Sequence, residues 1–89
     1  MSLHTSLFAL GRLRGVIYDF DASGDVLPMH AHDEATVHIT IVARGRFCCH
    51  GDGWEYEATS GAVLDWQPQD PHEFVALEAN SRLVNIVKV

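Results

Sequence analysis

Six histidines occur among 89 residues. Four of them, His30, His32, His38 and His72, stand where their spacing carries information. His30 and His32 are two apart, so on a strand they point to one face. His38 has the same parity on the next run, where Thr36, His38, Thr40 and Val42 form one face and Val37, Ile39, Ile41 and Ala43 the other. If Asp33 to Ala35 is a turn, the two runs pair antiparallel and His38 faces the His30/His32 pair. His72 follows Pro68-Gln69-Asp70-Pro71, whose prolines restrict the backbone entering the next strand. His4 and His50 read as surface residues, one in the N-terminal segment and one before a hairpin turn.

Neutral imidazoles gathered on one buried face each have a donor and an acceptor to satisfy. A divalent cation satisfies the acceptor nitrogens of all of them at once. The other ring nitrogen then needs a carboxylate or carbonyl, and Asp33, Glu34, Asp70 and Glu73 lie close in sequence. Glu34 is the rival to His38 as a ligand. The plain alternative for His30-Ala31-His32 is two exposed polar side chains. Four neutral ligands would leave a divalent ion its full charge and favour anionic or chelating oxygen donors at its open positions. Imidazole suits iron, nickel, copper and zinc without choosing among them. A zinc ion closed off by all four rings would be structural.

By parity, Thr40, Trp66 and Phe74 line the surroundings of such an ion, with Met29 and Phe47 at the rim. The competing reading of Trp66 and Phe74 is ordinary core. No Ser-His-Asp or Cys-His grouping, general base or Gly-rich phosphate loop stands out, so no catalytic residue is assigned.

The elements that must position these residues are short β-rich runs broken by turns: Arg14 to Phe20, Val26 to His32, Thr36 to Ala43, Arg46 to His50, Trp54 to Ala58, Ala62 to Gln67, His72 to Leu77 and Ser81 to Val89. Gly51-Asp52-Gly53 reads as a hairpin turn. Leu3 to Leu13 is open between a strand, a coil and a swapped arm. The pattern fits an all-β sandwich or barrel, in one domain covering residues 1–89 with residues 1–13 as an arm or edge strand. Hydrophobic residues make up 47% of the chain, enough for a core. Six basic against twelve acidic residues argue against nucleic acid and anionic membranes as partners. Apolar runs are too short to span a bilayer, and no signal peptide is read. Adjacent Cys48 and Cys49 cannot bond without strain and read as small hydrophobes in a reducing, cytoplasmic setting.

The chain resembles the cupins, small β-barrels with two histidine motifs. Gly24, five residues, His30-Ala31-His32, and His38, six residues, Gly45 follow the first motif. Gly61, Pro68 and His72 follow the second. His38 stands at the glutamate position, Asp70 replaces a glycine, and Ala76 stands where asparagine is usual. The site therefore resembles the four-histidine variant. The resemblance implies a jelly-roll (double-stranded β-helix) barrel and Fe(II) or Mn(II), with zinc or nickel as further candidates. It also implies frequent dioxygen chemistry. The expected function is a metal-dependent oxygenase acting on a small oxygenated or aromatic molecule. The alternative is a non-catalytic small-molecule-binding or metal-sensing domain. Small cupins are commonly dimers, and the aliphatic face of Val37, Ile39 and Ile41, with the N-terminal segment, is the expected contact of a homodimer.

Overall fold

The computed structural model describes residues 3–30, 37–67 and 70–88, with the backbone alone described at residues 30 and 37. These residues form β1 (Leu3–Leu10), β2 (Leu13–Phe20), β3 (Val26–His30), β4 (Val37–Arg44), β5 (Arg46–Gly51), β6 (Trp54–Thr59), β7 (Val63–Asp65), β8 (His72–Ala76) and β9 (Ser81–Lys88). No described helix is long and apolar enough to cross a membrane. Two sheets result, β1-β2-β9-β4-β7 and β3-β8-β5-β6. The order is that of a jelly roll, in which strands distant in sequence become neighbours.

Alternation places one side of each strand inward. Phe20, Val42, Leu64 and Leu83 from the first sheet meet Leu27, Phe47, Cys49, Ala58, Phe74 and Ala76 from the second, and all are buried. Phe47 is at the centre. Its ring meets Phe20 edge-on at 4.9 Å and Phe74 at 6.1 Å. Edge-to-face contacts of this kind add to the area they bury.

Gly45 turns β4 into β5 with φ +87°, a conformation that favours glycine. A Cβ there would also run into Ser81. The N-terminal segment forms β1, paired to β2 from Leu3↔Phe20 to Leu10↔Leu13, and stands at the edge of its sheet. Its residues after Leu3 are exposed.

One expected pairing is corrected. The runs that carry His30 and His38 are not a hairpin. β3 pairs with β8, while β4 pairs with β7 and β9 in the other sheet. Each run has one apolar face to bury, and each buries it against the opposite sheet. Strand β7 is also shorter than the run Ala62 to Gln67 suggests, and the last two residues of the run Val26 to His32 lie outside the described residues.

Candidate metal centre

β8 carries His72 inward at its first residue, and β4 carries His38 inward from the other sheet. The side chains of His38 and His72 are 3% and 0% exposed, and their ring centroids lie 5.3 Å apart. His30 on β3 is directly opposite His72 in the strand register, so its backbone reaches the same place. His32 and the rival ligand Glu34 lie outside the described residues. Among the described residues no group of three or more histidine, cysteine, aspartate or glutamate side chains is placed to hold an ion. Two of the four expected rings are thus together, with the backbone of a third beside them.

The His72 ring is fixed on several sides. Its Nδ1 lies 2.8 Å from the Asp70 carbonyl oxygen. A carbonyl only accepts, so Nδ1 carries the proton and Nε2 keeps the lone pair. The Nε2 atoms of His38 and His72 are both shielded from solvent. A neutral imidazole with a carbonyl behind it and a buried lone pair is the donor chemistry that a divalent ion requires. The expectation that Asp70 serves His72 is met by its backbone rather than its carboxylate. Glu73 serves elsewhere: it sits 2.9 Å from His50 Nε2 and accepts the Met29 backbone N–H at 3.2 Å.

Trp66 lies flat on His72, with centroids 4.0 Å apart and planes at 12°. Its backbone N–H donates to the His38 carbonyl at 3.0 Å. Thr40 and Phe74 are buried beside this pair, and Phe74 meets Trp66 and His72 edge-on at 5.9 and 6.0 Å. The two residues placed at the rim by parity behave differently. Phe47 is core, because the centre of the sandwich needs its volume, and Met29 is 46% exposed.

Parity alone missed Asn85, Trp54 and Tyr56. Asn85 is buried on β9 opposite Thr40 and accepts its hydroxyl at 2.6 Å. Trp54 stacks on Trp66 at 5.8 Å and on Tyr56 at 5.5 Å. The inward parity of Asn85 beside Leu83 was a signal available in the sequence.

An open surface pocket of about 490 Å³ is lined by Cys48, His50, Gly51, Gly53, Trp54 and Glu55. Cys48, half-buried, donates its thiol to Glu55 Oε1 at 3.1 Å, and that bond holds its pKa above the ordinary value. Cys49 is buried, and loss of hydration pushes its thiol up to about 12. Both are therefore poor nucleophiles at neutral pH. His4 is a surface residue, 2.9 Å from Asp21.

No protein family's model matches this chain, and no curated protein matches it. Solved structures do. KdgF from Halomonas sp. superimposes with TM-score 0.85 at 24% identity, over 97% of this chain and 77% of that one. An RmlC-like cupin protein from Desulfovibrio desulfuricans gives 0.83 at 25% identity, over 97% and 81%. The cupin domain of an XRE-family transcriptional regulator from Enterobacter cloacae gives 0.79 at 12% identity, over 100% and 98%. These likenesses run over nearly the whole of this chain, which has the double-stranded β-helix fold of a small cupin.

Proposed function

We propose that this cupin domain holds a divalent metal ion through His30, His32, His38 and His72, and acts as a metal-dependent oxygenase on a small oxygenated or aromatic molecule. The carrying observation is the buried His38–His72 pair at 5.3 Å, with His72 Nδ1 committed to the Asp70 carbonyl. Iron(II) and manganese(II) are the proposed ions, with zinc and nickel as rivals. When bound, the ion would supply a Lewis-acid centre with positions open to chelating oxygen donors. The chain's own residues set the surroundings. Trp66 and Phe74 exclude water from the histidine pair, and the Asp70 carbonyl holds the His72 proton at Nδ1.

A second reading is a non-catalytic binding or sensing domain. It is favoured by the likeness to the cupin domain of a transcriptional regulator, which this chain matches over nearly the full length of both.

Elemental analysis of protein purified without added metal tests the metal site. Near-stoichiometric metal in the native chain, lowered in His72→Ala and His32→Ala, is the expected result. Unchanged occupancy in both variants would refute the ligand set. Oxygen uptake dependent on the ion and a candidate oxygenated substrate separates the oxygenase from the binding domain. Binding without uptake supports the second reading.

A further inference from the structure

We infer that Asn85, Thr40 and Trp66 form a buried relay that positions the imidazole of His72. The inference rests on the metal-binding reading above and adds Thr40 and Asn85, to which that reading gives no role, together with a second role for Trp66. Thr40 on β4 and Asn85 on β9 are direct cross-strand partners. The Thr40 hydroxyl donates to Asn85 Oδ1 at 2.6 Å and accepts the Trp66 indole N–H at 2.9 Å. All three residues are buried. The hydroxyl has one proton, so giving it to Asn85 turns a lone pair toward Trp66. Thr40 is β-branched, which restricts the rotamers available to that oxygen.

The indole is therefore held at its N–H and stacked on a second ring. Trp54 lies 5.8 Å from it at 25°. His72 lies 4.0 Å from it at 12°. The Asp70 carbonyl fixes one edge of the imidazole. The flat indole sets its plane, because rotation would drive one ring into the other.

Space-filling alone does not account for the relay. Apolar side chains would fill the same volume without the desolvation that three buried polar groups require. A buried hydrogen-bonded chain instead fixes one geometry. Partners that orient a metal ligand commonly account for about 10–100-fold in metal affinity. Thr40, Asn85 and Trp66 are positioning residues in this sense.

The test titrates cobalt(II) into the full chain after metal removal, following the cobalt absorption bands, in Thr40→Val, Thr40→Ser and Trp66→Phe. In parallel, the indole N–H resonances of nitrogen-15 tryptophan-labelled protein are recorded without metal. Thr40→Val should weaken cobalt(II) binding about 10–100-fold and shift the Trp66 indole resonance. Thr40→Ser should restore both. Trp66→Phe keeps an aromatic face and strands no buried donor, so it tests the relay even if Thr40→Val fails to fold. It should also weaken cobalt(II) binding. Cobalt(II) affinity equal to wild type in a folded Thr40→Val or in Trp66→Phe overturns the relay while leaving the metal site standing. Wild-type protein that binds no cobalt(II) overturns the metal site, and the relay with it.

Discussion

The indole of Trp66 and the imidazole of His72 lie face to face, 4.0 Å between centroids and 12° from parallel. A paramagnetic ion bound by His72 would therefore sit one ring away from a fluorophore. Nickel(II) addition should quench the protein's emission, and Trp66→Phe should abolish most of the quenching. The second tryptophan, Trp54, is one ring further out. Equal quenching in the variant would place the ion elsewhere.

Phe47 is fully buried between Phe20 and Phe74. Phe47→Ala should cost about 3–5 kcal/mol in urea unfolding, the usual range for an aromatic deleted from a core. A loss well below 1 kcal/mol would instead fit a residue at a rim.

Asp19 accepts from Arg82 Nε at 2.7 Å and Nη2 at 3.1 Å, and these bonds hold its carboxyl below the ordinary carboxylate range. A depressed pKa stabilises the fold above the unfolded value, about 3.9, and that contribution disappears as pH falls through the folded value. Asp19→Asn should lower the urea midpoint at pH 7. The gap to wild type should close under acid, below the folded pKa. A gap that stays constant with pH would exclude this ion pair as its source.

The outer face of the five-stranded sheet carries Ile17, Ile39, Ile41, Val84 and Ile86, joined through the cross-strand pairs Ile17↔Val84, Ile41↔Val84 and Ile39↔Ile86. All five are half-buried. The chain has a formal net charge of −6, so two copies repel except where they meet through an uncharged surface. We expect a homodimer through this face. Light scattering at micromolar concentration should give twice the chain mass, and Ile41→Glu should give the monomer. A wild-type monomer would rule the dimer out.

Much of this was legible in the residues. Alternation at Thr36 to Val42 set His38, Thr40 and Val42 on one side, and the structure buries all three. The turn read at Gly51-Asp52-Gly53 closes β5 and opens β6. Partner choice was not legible, because alternation says which face is inward and nothing about which strand lies alongside. That is why β3 and β4 read as a hairpin, although their backbones belong to different sheets. Phe47 has the parity of a pocket residue, and depth in the sandwich, which parity does not encode, made it core. The support of His72 by a backbone carbonyl was equally invisible, since every residue has one. The expectations placed on His32 and Glu34 concern residues outside those described.

β9 lies between β2 and β4, at the middle of its sheet. Translation makes Ser81–Lys88 after every other strand described here, yet β2 and β4 have no mutual pairing without it. A ribosome-bound chain stalled before residue 81 would leave β1-β2 and β4-β7 as separate ribbons. The first sheet, and the side of the barrel that carries His38, would then close only once residues 81–88 have emerged from the ribosome.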